Sequence, residues 1–455
     1  MAFFQRLFQG SPSEVSTTSA EDDDIYPVHM LDGTKTLSNI IVTWTLRSND
    51  VEKAGGRLRL KVHLEIYVPR IFTAQRPAVS YSHRSIDTAI EDHLMARGLP
   101  RATEVPSFHA NPRDFRMFAV REDVPASLQD FLAGDMPMLA LHITSFSNTT
   151  LVRLLWPHLL MDVIGQQALV RSWSLILAPR EAEVPPLLGS REDVMIATPA
   201  DAVEEEYVFK QHRLKGWSMA TFGSRFAWDV LWNRFVETRT IYLPKAATNK
   251  KPFISQGDVL TAWGIQALAT SLPQPRPITA LHALNAHFRL LSLINAPGVY
   301  IENMAVAAFD FFDADMARGP LGPIALASRQ HLMTQATEPQ IHAYLREIRS
   351  QAGSGRADPA TMLYGDPNAV LMPFTNWTKA DFYNTNVIYF SPAVVKKGDG
   401  KPGALVYHHV ISIRAGASER NILVVLGKDG GVGYWVMGRL LPQTWSRIEE
   451  SLKGV

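Results

Sequence analysis

Residues 139–177 read LALHITSFSNTTLVRLLWPHLLMDVIGQQALVRSWSLIL. Residues 139–146 and 151–156 are alternating apolar runs flanking the polar Ser147-Asn148-Thr149-Thr150, a pattern that predicts a β-hairpin. Over 163–177, Ile164, Ala168, Ser172 and Ile176 recur at helical spacing, so a helix packs directly on that hairpin. A strand pair covered by the helix that follows it is a mixed, α+β unit.

The pattern extends outward on both sides. LRLKVHLEIYV (58–68) alternates and predicts one half-buried strand, and IDTAIEDHLMARG (86–98) predicts a helix with Ile86, Ile90 and Leu94 on one face. Pro- and charge-rich sequence begins at 179 and marks a crossover segment. A strand, TIYLP, opens the second half near Thr238, and a helix starts near Gln256. A strand over 404–414, a hairpin over 422–437 turning at Asp429-Gly430, and a terminal helix complete the chain. The expected organisation is a mobile polar tail over 1–24, an N-terminal domain over 25–178, a linker over 179–237 and a C-terminal domain over 238–455.

Composition excludes several functional classes. Lys plus Arg is 45 against 44 Asp plus Glu, so no global charge draws the chain to nucleic acid. With no cysteine, disulfides, thiolate metal sites and a Cys nucleophile are all excluded. No apolar run approaches the ~18–20 residues of a membrane span, and the first residues do not form a secretion signal. A cytoplasmic monomer without a permanently bound cofactor or metal is expected. No dinucleotide fingerprint, Walker A sequence or nucleophile elbow is present. His408 and His409 point to opposite faces of a strand, and His282 and His287 are five residues apart.

One constellation remains, Pro157-His158-Leu159-Leu160-Met161-Asp162-Val163-Ile164-Gly165. With 14 histidines, about one His-x-x-x-Asp arises by chance, and His83-Arg84-Ser85-Ile86-Asp87 is such a second match. Context separates them: His83 opens an expected surface helix, whereas His158 lies where a buried strand gives way to a helix. An imidazole there is held rigidly toward a cleft. Asp162 is placed to anchor the loop through a buried ion pair. Position alone leaves both catalysis and a satisfied core histidine open.

WPHLLMDVIGQQALVRSWS resembles the His-x-x-x-Asp region of the BAHD acyltransferases, in particular the fungal secondary-metabolite branch, which carries Asp-x-x-Gly there. PAVSYSH (77–83), EVPPLLGSRED (183–193), FISQGDVLTAW (253–263), PGVYIENMA (297–305) and FTNWTKADFY (374–383) resemble that group in the same order. The resemblance breaks at the second hallmark, Asp-Phe-Gly-Trp-Gly, where this chain reads Asn384-Thr385-Asn386-Val387-Ile388-Tyr389-Phe390-Ser391-Pro392. In the family that Asp pairs with an Arg, and His287 stands at the corresponding position here. Losing one charge of a buried pair costs ~3–5 kcal/mol, whereas replacing both is often neutral.

The resemblance implies two chloramphenicol-acetyltransferase-like domains with an active-site channel between them. It further implies acyl-CoA as co-substrate, a hydroxylated small-molecule acceptor, His158 as general base and no covalent acyl-enzyme. Thr375 and the Trp377 indole are its oxyanion candidates, with a core aromatic as the other reading of Trp377. Ser255 is its CoA contact, with a helix N-cap above Asp258 as the other reading. A peptide condensation-type domain shares this fold, but Pro157 stands where its first histidine is expected. A member that binds or cyclises a natural product without acyl transfer is the alternative.

Overall fold

The computed structural model describes residues 23–34, 40–47, 57–60, 64–118, 124–196, 205–244, 254–352, 362–383, 403–414, 416–430 and 433–453. Its strands are β1 (Asp23–Pro27), β2 (Ile41–Arg47), β3 (Arg57–Leu60), β4 (Leu64–Pro69), β5 (Ser80–Ile86), β6 (Ser107–His109), β7 (Ala140–Phe146) and β8 (Thr150–Pro157) in the first half. The second half supplies β9 (Glu237–Pro244), β10 (Ile278–Asn285), β11 (Ala305–Phe312), β12 (Val370–Asn376), β13 (His408–Ser412), β14 (Ile422–Asp429) and β15 (Gly433–Leu440). The long helices are α1 (Val163–Leu177), α2 (Trp217–Trp232), α3 (Gln256–Ser271), α4 (Leu321–Gln335), α5 (Glu338–Ala352) and α6 (Pro442–Leu452).

Two sheets organise these elements, in the orders β13-β2-β8-β7-β5 and β11-β10-β12-β14-β15-β9-β6, with a smaller sheet β1-β4-β3 beside them. Neither large sheet respects the division of the sequence into halves. β13, from the second half, pairs antiparallel with β2, while β6, from the first, pairs antiparallel with β9. The exchange ties the domains together through main-chain hydrogen bonds rather than side chains alone.

The predicted hairpin is β7–β8, antiparallel in the expected register, and α1 packs on it. Its buried face differs from the expected one. Ala168 is buried as expected, but Gly165, Gln166, Val170 and Trp173 join it, while Ile176 is exposed. Val152, Leu154 and Trp156 from β8 meet Val170 and Trp173 there. Burying each such aliphatic side chain contributes roughly 1.5–3 kcal/mol. In the other domain, α3 and α6 cover one face of the large sheet through Ile265, Leu268, Trp445 and Ile448.

Several expectations change in structural context. The single strand over 58–68 is instead β3 and β4, paired antiparallel, with 61–63 outside the described residues. Alternation continues through the reversal, so the pattern carried no sign of it. The helix over 86–98 is the end of β5 followed by turns and a short 3₁₀ segment, Ala96–Gly98. Here the hairpin turn captures the passing chain. Asn148 Oδ1 accepts from Ile90 N, Asn148 Nδ2 donates to Glu91, and Ser147 N donates to Thr88 O. Ile90 is fully buried and Leu94 is exposed, so no common helical face exists.

The tail as drawn from sequence reaches into β1, where Asp23 is buried and held by both terminal nitrogens of Arg76. Residues 1–22 lie outside the described set. The linker also holds more structure than its composition suggests. Leu187 bridges to Val299, and α2 occupies 217–232.

Candidate active site

His158 sits at a junction built by three local devices. Its N–H donates to Ile40 O, extending the β2–β8 ladder one residue beyond Pro157. Leu160 N then bonds to Pro157 O, turning the chain. Asp162 caps α1, its Oδ1 accepting from Ile164 N at 2.9 Å and Gly165 N at 3.0 Å. Such a cap is worth about 1 kcal/mol and fixes where the helix begins. The imidazole is therefore held between a strand end and a capped helix.

The other domain closes over this junction at residues 300–304. A Cβ on Gly165 would lie 1.9 Å from Ile301 O, so only glycine lets the first turn of α1 approach that main chain. Asp162 Oδ2 accepts from Asn285 Nδ2 at 3.1 Å and from Met304 N at 3.2 Å. The sequence reading placed Asp162 in a buried ion pair; four neutral donors hold its carboxylate instead. Carboxylate hydrogen bonds contribute ~1.5–3 kcal/mol each.

The 285–289 stretch pairs with this aspartate too. Asn285 Oδ1 accepts from His287 N and lies 2.9 Å from His287 Nδ1, while its amide reaches Asp162. Burial lowers the His287 pKa, against the opposing pull of Asp162. The sequence expectation tied this stretch to the missing hallmark acid, whose segment, 384–392, lies outside the described residues.

Asn303 and Asp32 had no assigned role in the sequence reading. Asn303 Nδ2 donates to His158 O at 2.8 Å and to Asp32 Oδ1 at 2.6 Å, and Asn303 N donates to the same oxygen at 2.8 Å. Both side chains are buried, and burial pushes the Asp32 carboxyl well above its usual range. The PGVYIENMA likeness contained Asn303; nothing local marked Asp32.

His158 is half-buried as a residue, with its ring Nδ1 sealed from solvent. Burial lowers its pKa, outweighing its own main-chain carbonyl, Asp162 and Asn303, which favour the proton. No carboxylate hydrogen-bonds the ring among the described residues. A base of lowered pKa is neutral at pH 7 and able to accept a proton.

The remaining expected residues lie on other segments of the chain. Trp377 packs against the core cluster that contains Met161, Val170 and Trp173 and stacks on His408 at 6.3 Å. Thr375 lies on β12 opposite Val424, which belongs to an aromatic cluster with Tyr242, Tyr383, Tyr407 and Trp435. Among the described residues no hydrogen bond joins Thr375 or Trp377 to His158. Ser255 is the N-cap of α3. Its Oγ accepts from Asp258 N and donates to Asp258 Oδ2, and its N–H also reaches Asp258. His83 lies on β5, bonded to Ser145 Oγ at 3.0 Å, not on a helix. No group of three potential metal-ligating side chains occurs among the described residues.

A strand-end histidine at the seam of two mixed domains, backed by a capping aspartate, defines the His-x-x-x-Asp acyltransferase class. No protein-family model matches the chain. The O-acetyltransferase PaAT-2 of Phomopsis amygdali is 31% identical over 501 residues, covering 96% of this chain and 99% of that protein. The acetyltransferase pyiB of Pyricularia grisea is 31% identical over 480 residues, covering 95% and 94%. The fold is shared with F. sporotrichioides TRI101, solved in complex with coenzyme A and T-2, at a TM-score of 0.58 and 14% identity over 95% of this chain and 97% of that one. The chain belongs to the BAHD acyltransferases, in their fungal secondary-metabolite branch. It is an acyl-CoA-dependent O-acyltransferase.

Proposed function

We propose that His158 is the general base of this transfer and that the acyl group, acetyl in the first instance, passes directly from CoA to the acceptor. One observation carries the assignment. His158 is fixed by its main chain and sealed at Nδ1, yet the residue keeps partial exposure, and Asn303 and Asp162 hold the loop and not the ring. Nδ1 is enclosed, so Nε2 is the nitrogen left to meet the acceptor.

The acceptor oxygen attacks the thioester carbonyl carbon as Nε2 takes the hydroxyl proton. The tetrahedral oxyanion then collapses, the C–S bond breaks, and the proton passes from Nε2 to the CoA thiolate. Base catalysis of this kind contributes ~10²–10⁴ in rate. The oxyanion needs donors fixed beforehand, each worth roughly 3–4 kcal/mol, and Thr375 Oγ1 and the Trp377 indole are the candidates. Ser255 spends its one hydroxyl proton on Asp258, so its proposed contact with CoA is as an acceptor only. The reading places the reaction in the cytoplasm and in a single chain. No helix among the described residues is long and apolar enough to cross a membrane.

Acceptor-dependent release of thiol from acetyl-CoA, followed with a thiol-reactive dye, tests the assignment on a protein with no thiol of its own. His158→Ala is expected to lower turnover by about 10²–10⁴ with the thermal midpoint unchanged. Near-normal turnover in that variant would remove His158 from the chemistry.

A further inference from the structure

Helix α2 is apolar on two sides. Its inner side carries Phe222, which is buried, and Phe226, stacked on it at 6.3 Å. Arg276 grips Asp229 at 2.9 Å, and Arg420 bonds to the carbonyls of Asp229 and Asn233, pinning the end of the helix to the body. The outer side carries Trp217, Trp228, Leu231 and Trp232, followed by Phe235; their exposures are 88%, 62%, 58%, 76% and 81%. At 100° per residue, the four helical positions fall within one narrow arc. Trp228 and Trp232 stack on one another at 5.3 Å, with no described segment over them. A helix pinned on one face and aromatic on the other has an unpartnered surface.

Charge identifies what covers it. Lys215, Arg225 and Arg234 flank the aromatic arc, all exposed and without an acidic partner among the described residues. The neighbouring acids are engaged elsewhere: Glu206 with Lys210, Asp229 with Arg276 and Glu237 with Arg239. Exposed tryptophans among unpaired cations match a membrane–water interface, where indoles sit at headgroup depth and cations meet anionic lipid.

We propose that the outer face of α2 is an interfacial anchor that seats this acyltransferase on an anionic lipid surface. The proposal concerns a surface away from His158 and does not depend on how the reaction proceeds. The helix lies in the plane of the interface, its three indoles at the headgroup level and its three cations holding phosphate and carboxylate groups.

Sedimentation of the full chain with vesicles tests this directly, using phosphatidylcholine alone and phosphatidylcholine mixed with phosphatidylserine. The wild type is expected to sediment with the mixed vesicles, with a blue shift of tryptophan emission, and to be released by salt. A Trp217→Ser, Trp228→Ser, Trp232→Ser triple variant should lose the binding. Lys215→Glu, Arg225→Glu and Arg234→Glu together should weaken partitioning by about a hundredfold or more. Both variants should keep their thermal midpoint and their thiol release with a water-soluble acceptor, which separates lost anchoring from lost folding. Absence of sedimentation with either vesicle overturns the proposal. So does a wild-type dimer that the serine variant dissociates, since the face would then be an interface between two copies.

Discussion

His282 and His158 each lie close to an aspartate, in opposite settings. His282 Nε2 is 2.8 Å from Asp310 Oδ2, and Ser328 Oγ donates to the same oxygen at 2.5 Å. This linked Ser, Asp and His set has the side chains of a hydrolytic triad, yet all three are buried between β10, β11 and α4, and Phe374 packs on the imidazole. His158 makes no such bond to Asp162, whose oxygens are filled by Ile164, Gly165, Asn285 and Met304. Enclosure marks the structural site here, and a partly exposed residue whose ring Nδ1 has no partner, held at a domain seam, marks the chemical one. A general base must bring a lone pair to its substrate, which the enclosed His282 ring has no open path to do.

The comparison can be broken by exchanging the roles of the two histidines. His282→Ala leaves Asp310 buried without its partner, an arrangement that costs ~3–5 kcal/mol. Chemical denaturation should register that loss, while thiol release measured well below the melting temperature stays within a few-fold of wild type. Abolished turnover at unchanged stability would make His282 the functional residue.

Asp162→Asn sharpens the contrast from the other side. The amide cannot accept at both former carboxylate oxygens, so one pair of main-chain and side-chain donors loses its partner, at about 1–3 kcal/mol. Thermal stability and turnover should fall together, because the same bonds fix the cap of α1 and the position of His158. An unchanged thermal midpoint would show that the anchor lies elsewhere.

The smallest expected effect is that of Asn303→Ala, which removes the donor to His158 O and uncovers Asp32. The rate constant kcat should fall about fivefold to tenfold, with KM for acetyl-CoA little changed, as for a residue that positions the base without touching substrate. A rise in KM with kcat unchanged would instead place Asn303 in substrate binding.

Much of this was legible locally. The β7–β8 hairpin, α1 and the β14–β15 hairpin follow from periodicity and turn chemistry within one short window. What escaped was carried by distant residues. Asn148 unmakes the expected helix over 86–98 from across a turn, and β6 and β13 leave their own halves for the opposite sheet. Asp162 finds Asn285 and Met304, more than a hundred residues away. Asn285 lies in the stretch where the family likeness pointed to a replaced ion pair, and no local signal linked it to Asp162. Helix α2 was lost in the linker because apolar residues on both its faces blur the amphipathic signal.

The most direct test of His158 as the base is the pH dependence of kcat/KM for the acceptor. The active form is the neutral imidazole, so activity falls as the ring gains its proton. Burial lowers the pKa of His158 below the ordinary 6.5. The acid limb should therefore lie below pH 6.5, with activity flat from there through neutrality. A limb centred above pH 6.5, or no acid limb at all, would contradict a buried, neutral His158 as the group that takes the acceptor's proton.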